Sequence, residues 1–255
     1  MSSAAIRRIA LVTDFGGGLY VGQMRACLGA LLPELPLIDL VHDLPPFRPE
    51  LAAYLLPALV RDMPGNTLYL CVVDPGVGGD RALLAVESAG NWFIGPDNGL
   101  LAPLIRQSDS VASVWHIDWR PERMSPSFHG RDWFVPAAAR LCLGQDLRLS
   151  GLETSGMVGT DWSAERCAIL YVDRFGNLIS GLHAAGRDRR HRLQVGERSV
   201  RNARTFCQVA PGESFWYENA FGLVEIAVNR GRADEVLGLA AGDPIGPFIA
   251  LPDAV

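Results

Sequence analysis

The sequence contains no lysine: all 23 residues of its Lys+Arg count are arginine. A P-loop, a kinase-type phosphate lysine, a Schiff-base enzyme and a pyridoxal phosphate site all require lysine, so those classes are excluded. An excess of positive charge is missing too. The formal net charge is −5, which argues against a dedicated nucleic-acid binder. The local exception, Arg187, Arg189, Arg190 and Arg192, reads as a solvated turn between strands. No apolar run approaches the roughly 20 residues that span a bilayer. Arg7–Arg8 lead straight into a short strand, without a signal-peptide apolar region, so a cytoplasmic protein with no membrane partner is expected. The cysteines Cys27, Cys71, Cys142, Cys167 and Cys207 are odd in number and lack metal or redox spacing. They read as small hydrophobes of a reducing compartment. No two histidines have metal-site spacing, so no metal is expected.

What is present is an ordinary globular composition of 255 residues, 49% of them hydrophobic. Short apolar strands alternate with helical patterns over the first two-thirds. Strands are expected at Ile9–Thr13, Leu37–Val41, Thr67–Val73, Leu83–Val86, Trp92–Ile94 and Val111–Ile117. Helices are expected from Val21 to Leu32, over Glu50–Met63 with a kink at Pro57, from Asn98 to Arg106, and over Asp132–Leu143. Such alternation predicts an α/β fold, a mainly parallel sheet between helices. A polar Gly/Ser/Thr-rich stretch, Ser150–Ser163, reads as a linker. Beyond it, short runs at Cys167–Val172, Leu178–Ile179, His191–Val195, Ala203–Cys207, Ser214–Tyr217 and Leu223–Val228 predict a small all-β, barrel-like domain. The expected domains are residues 1–155 and 163–255.

In open α/β sheets ligands sit at the carboxyl ends of strands. Thr13–Asp14–Phe15–Gly16–Gly17–Gly18 is such an end, where Asp14 suits a ribose diol or a cation, or else caps a turn. Val73–Asp74–Pro75–Gly76–Val77–Gly78 is a second, and Arg81 follows Asp74 by seven positions. A nearby arginine keeps a partly buried carboxylate ionised, but the same pair also braces a loop. Phe128–His129–Gly130–Arg131–Asp132 opens a helix, with Asp132 favourable to its dipole and His129 just outside. His42–Asp43, after a strand, is a further pocket edge, read as structural. In the second domain Asp173–Arg174–Phe175–Gly176–Asn177 and Tyr217–Glu218–Asn219–Ala220–Phe221–Gly222 pair polar with aromatic groups, as a purine site or plain β-turns would.

The order and spacing of these motifs, together with Leu223–Val224–Glu225–Ile226–Ala227–Val228–Asn229, resemble the S-adenosyl-L-methionine (SAM) hydroxide adenosyltransferase, or SAM hydrolase, family. That family is related to the SAM-dependent fluorinase and chlorinase. The resemblance implies hydrolysis of SAM to adenosine and L-methionine, SAM being substrate and no cofactor being needed. It implies Asp74, Arg81 and His129 as the water-activating set and Asp14 as the acid on the ribose hydroxyls. Asn177, Glu225 and Val228 match nucleoside-binding positions, and Ala220 stands where the family commonly has serine. The family's trimers place the site between the first domain of one subunit and the second domain of its neighbour. Halogenases differ at the Asp74 and Gly130 positions, which favours hydroxide over halide as the nucleophile. Two readings from other classes compete. A non-catalytic SAM or nucleoside sensor predicts damaged chemistry residues, and a metal-dependent phosphoesterase built on Asp14, Asp74, Asp132 and His129 predicts metal dependence.

Overall fold

The apolar run Ile9–Val12, flanked by Arg8 and Thr13, makes β1 (Arg8–Thr13), buried from Ile9 onward. Residues 5–106 and 112–250 are described by the structure, a computed structural model. It divides into two units, Met1–Leu56 with Met63–Trp162, and Pro57–Asp62 with Ser163–Val255.

In the first unit, α1 (Leu19–Leu31) turns Val21, Met24 and Leu28 inward at helical spacing. β2 (Leu37–Val41) lies parallel to β1. α2 (Pro49–Val60) begins on a proline, which suits a first turn, and carries Pro57 near its end, where few later backbone bonds are lost. β3 (Thr67–Val72) is buried throughout and pairs in parallel with β1. β4 (Leu83–Ser88) and β5 (Asn91–Pro96) form a hairpin. Its turn residues Ala89 and Gly90 have φ of 49° and 72°, the double positive φ of the tight hairpin turn. α3 (Ala102–Arg106) starts later than the sequence suggests. β6 (Ser113–Ile117), α4 (Val135–Cys142) and β7 (Leu149–Gly151) complete the unit; Val111 lies outside the described residues.

The sheet order is β2-β1-β3-β5-β4-β6-β7. It is parallel from β2 to β5 and antiparallel beyond. The parallel half is the one that strand–helix alternation indicates. The antiparallel half follows from the hairpin, since a two-residue turn can only reverse the chain. Ile9, Leu11, Leu68, Leu70 and Val72 pack with Met24, Leu28, Trp133 and Ala138 in one core. Their alternates Ala10, Val12, Tyr69 and Cys71 are also fully buried, so both faces of the sheet are covered. Part of the expected linker 150–163 is folded instead: β7 pairs with β6, and Trp162 stacks on Tyr54.

The second unit is a curled seven-stranded sheet in the order β14-β10-β11-β12-β13-β9-β8. Its strands are β8 (Arg166–Val172), β9 (Leu178–His183), β10 (Arg192–Val195), β11 (Arg198–Asn202), β12 (Ser214–Glu218), β13 (Leu223–Val228) and β14 (Phe248–Ile249). A short α5 (Ala233–Leu237) follows β13. Residues 242–249 bond to β8 through Ile169 and Cys167, and to β10 through Gln194, joining the two ends of the sheet. This gives the barrel-like character its physical basis. The strand expected over Ala203–Cys207 is a correction: Thr205 accepts the Cys207 N–H at 3.2 Å and caps a 3₁₀ turn there. Among the described residues no helix is long and apolar enough to cross a membrane.

Candidate active site

A carboxylate, a guanidinium and an imidazole meet at the carboxyl end of the parallel strands. Asp74 follows β3, and its loop is tightened by Val77 and Gly79 N–H groups donating to Asp74 and Gly76 carbonyls. Gly78 has φ +85°, and a Cβ there would lie 2.7 Å from the Pro126 carbonyl. Only glycine lets this loop lie so close to the segment carrying His129.

Arg81 is the hinge of the group. Its Nε donates to Asp74 Oδ1 at 2.9 Å and to Oδ2 at 3.1 Å, and its Nη2 donates to Oδ2 as well. The same Nη2 lies 2.9 Å from His129 Nδ1. A guanidinium only donates, so Nδ1 accepts, and the proton of the neutral ring sits on Nε2. The side chains of Arg81 and Asp74 are only 9% and 5% exposed, and His129 is 3% exposed. The Arg81 guanidinium lies 5.6 Å from the Trp133 ring centre and 5.4 Å from that of Phe134. Those π faces lie against a cation whose Nη1 is buried without a hydrogen-bond partner. Burial, and then the Arg81 charge, hold the His129 pKa below its ordinary value.

His129 begins a wide helical turn. Gly130–Phe134 is π-helical and runs into α4, with Val135 N–H reaching back to Gly130 O. Pro136 cannot donate to Asp132, which favours the wider turn at this point. Asp132 faces other partners, accepting from Arg131 and from the Ser125 N–H at 2.8 Å. Arg131 also donates to Gln23 at 2.6 Å and lies over Phe128. These two residues are scaffold.

Asp74 and His129 line a cleft of about 90 Å³ whose other walls include Phe15, Tyr20 and Phe128. Arg81 is not among its lining residues: it stands behind the pair and fixes both. Phe15 and Phe128 stand within the sequence motifs, whereas Tyr20 carries no sequence signal for a site; their meeting is a product of the fold. Asp14 lies outside that lining. Its Oδ2 accepts the Phe47 N–H at 3.0 Å. Burial, opposed by that bond and reinforced by the Asp74 charge, raises its pKa. Phe47 was missed altogether, being an exposed aromatic at φ 63° with no sequence signal beyond the preceding prolines.

The second unit carries its own cavity, about 630 Å³, lined by Phe175, Asn177, Phe206, Tyr217, Glu225 and Val228, among others. Asp173 organises the loop, accepting the Phe175 and Asn177 N–H groups at 2.8 Å and Asn177 Nδ2 at 2.9 Å. Since the Asp173 carboxylate accepts, the amide orientation is settled and Oδ1 is the end left for other donors. Glu225 is buried and receives the Tyr217 hydroxyl on one oxygen and Asn219 Nδ2 on the other, at 2.9 Å. Burial outweighs these bonds and raises the Glu225 pKa. Val228 ends β13, its carbonyl taken by Gly231. Ala220 stands apart on a different cavity, with Arg61, Arg189 and Asn202. Its carbonyl and that of Phe221 accept from Arg61 at 3.2 and 3.0 Å. Among the described residues no cluster of three or more His, Cys, Asp or Glu has the geometry to hold a metal ion.

The chain matches the family model of the SAM hydroxide adenosyltransferase N-terminal domain over residues 9–151 and that of the C-terminal domain over residues 167–246. It is 34% identical to the (R)-S-adenosyl-L-methionine hydrolase of Salinispora arenicola, covering 93% of this chain and 96% of that protein. Identity to the hydrolase of the same name from Thermus thermophilus is 37%, covering 94% and 99%. The fluorinase of Nocardia brasiliensis is more distant, 24% identical over 56% of each chain. An uncharacterised conserved protein from Thermotoga maritima has a similar structure, with TM-score 0.82 and 30% identity over 93% of this chain and 98% of that one. With both domain models matched in order across nearly its whole length, the chain belongs to the SAM hydroxide adenosyltransferase family.

Proposed function

We propose that this protein is a hydrolase that converts S-adenosyl-L-methionine to adenosine and L-methionine, and that Asp74, His129 and Arg81 activate the water. The observation that carries this is the pairing of a carboxylate and a neutral imidazole on one cleft wall, both fixed by the same buried arginine. Water attacks the ribose 5′ carbon. The carbon–sulfur bond breaks with its electron pair staying on sulfur, so methionine leaves as a neutral thioether and needs no acid. The costly partner is water, with a pKa of about 15.7. Asp74 is assigned as the proton acceptor, because the Nδ1 lone pair of His129 is occupied by Arg81. His129 then orients the water oxygen through Nε2–H. Arg81 lowers the energy of the developing hydroxide at one remove. General-base assistance of this kind is worth roughly 10²–10⁴-fold.

Asp14 is assigned to the ribose hydroxyls. Asn177 Oδ1 suits an exocyclic amine, Val228 offers backbone near the base, and Glu225 holds Tyr217 and Asn219 in place. Ala220 lacks the hydroxyl that the family commonly has, so its contribution is backbone shape. The first unit's cleft is far below the roughly 300–1,000 Å³ of a site for a drug-sized ligand. The nucleoside is assigned to the second unit of a neighbouring subunit in a homotrimer, as the family resemblance implies. No cofactor or metal is called for by this chemistry. Five free thiols suit a cytoplasmic setting.

The test is to incubate purified protein with SAM in ¹⁸O water, without halide and with EDTA. Adenosine labelled at the 5′ oxygen is expected, and Asp74→Ala and His129→Ala should abolish it. Halogenated nucleoside with added halide, or no product at all from wild type, would favour the halogenase or sensor reading.

A further inference from the structure

The segment after β2 holds the Asp14 loop by four bonds. Gly16 N–H donates to His42 O at 2.6 Å, and Leu44 N–H donates to Thr13 O at 3.3 Å. Phe47 N–H reaches Asp14 Oδ2 at 3.0 Å. The fourth is between side chains, Thr13 Oγ1 to His42 Nδ1 at 2.9 Å. Three involve backbone and tolerate many side chains at position 42. The fourth needs one particular imidazole tautomer.

That tautomer is set from the far side. His42 Nε2 lies 3.1 Å from Asp39 Oδ1, and a carboxylate accepts, so Nε2 carries the proton. Asp39 is itself held by Arg25 Nη1, at 2.7 Å to both oxygens. In the neutral ring His42 Nδ1 is then a lone pair, and the Thr13 hydroxyl donates to it. With its hydrogen committed, Thr13 Oγ1 has a lone pair for the Phe15 N–H, at 3.4 Å. Thr13 has no solvent exposure, so water has little access to replace the imidazole. The Thr13 and Phe15 ends of this chain of donors flank Asp14 on both sides in sequence.

We propose that His42 is a positioning residue for substrate binding: through Thr13 it fixes the loop that aims Asp14 at the ribose. This rests on the assignment of Asp14 to the ribose hydroxyls. His42 touches no reacting atom, so it acts on affinity and leaves the chemical step alone.

The test is a double-mutant cycle read in KM for SAM, kcat and adenosine affinity. His42→Leu strands a buried hydroxyl and should raise KM roughly 5- to 30-fold with kcat within about 2-fold. His42→Asn keeps an acceptor near the Nδ1 position and should recover most of that loss. In an Asp14→Ala background, His42→Leu should add less than about 2-fold, because its effect passes through Asp14. In wild type, ¹⁵N imidazole spectra should show His42 protonated at Nε2. Equal losses from His42→Leu in both backgrounds, a fall in kcat at fixed KM, no recovery in His42→Asn, or a proton on Nδ1 would each overturn the proposal. If Asp14→Ala weakens adenosine and His42→Leu does not, the positioning role alone fails. If Asp14→Ala leaves adenosine affinity unchanged, the ribose assignment falls and the positioning role with it.

Discussion

In the proposed mechanism His129 works as a neutral ring. Its neighbours decide this: burial and the Arg81 charge depress its pKa, while Asp74 pulls the other way. The unfolded chain therefore takes up this proton before the folded one does. Stability linked to His129 is complete above about pH 6.5 and falls as the pH drops from there to the lower folded value. Activity should hold further into acid, its acidic limb lying below pH 6.5, since protonated Nδ1 no longer accepts from Arg81. NMR titration of His129 is expected to place it below free imidazole in wild type and closer to free imidazole in Arg81→Gln. An unmoved titration would remove Arg81 from this account. Asp74→Asn should also destabilise, since breaking a buried pair from one side costs about 3–5 kcal/mol. Thermal melting beside the adenosine assay separates that loss from the lost chemistry. Sequence alone made Asp74, Arg81 and His129 visible as candidates. It did not reveal that Arg81 stands behind the other two, because placement relative to a cleft is a property of packing and not of spacing.

Among the elements, those with strong periodicity were legible: β2 and β13 fall on their expected residues, and β1 and β3 differ by one residue at an end. β11 was not, because Val200 is its one buried side chain and the rest are polar or partly exposed. The Gly130–Phe134 turn was not either, since a missing N–H at Pro136 changes the pitch without changing the apolar pattern. Turn glycines make separable predictions. Gly78→Ala forces a β-carbon against the Pro126 carbonyl at φ +85°. Its cost should be about 1–3 kcal/mol of stability, with a larger loss in kcat as Asp74 moves off His129. Gly222→Ala, at φ +75°, sets a β-carbon 2.5 Å from Arg61 Nη1. It should loosen the Ala220–Phe221 turn and lower the melting temperature. Gly17→Ala meets nothing within 4 Å and should stay within about 0.5 kcal/mol of wild type. Equal melting temperatures for all three would show that these turns carry no constraint.

For the whole molecule, the proposed trimer makes a prediction that no single chain can imitate. Co-expressing Asp74→Ala and Asn177→Ala subunits should recover a substantial part of the activity that each variant lacks alone. Mixed trimers would then contain sites with both halves intact. No recovery, or a monomeric mass by light scattering, would place both halves in one chain. The change in periodicity near residue 150 is legible in the sequence. The closure of the second sheet is not, because the residues that achieve it, 242–249, are short, glycine- and proline-rich, and lack alternation.

That closing segment also bears on solubility. A strand at the rim of an open sheet offers a row of unused N–H and C=O groups to any passing chain, which is how edge-to-edge aggregation begins. Here β8 and β10 have those groups occupied by the protein's own C-terminal residues. A chain cut before Gly242 would keep the cavity lined by Asn177 and Glu225 and still fail as a soluble protein, because β8 and β10 would become two sticky rims.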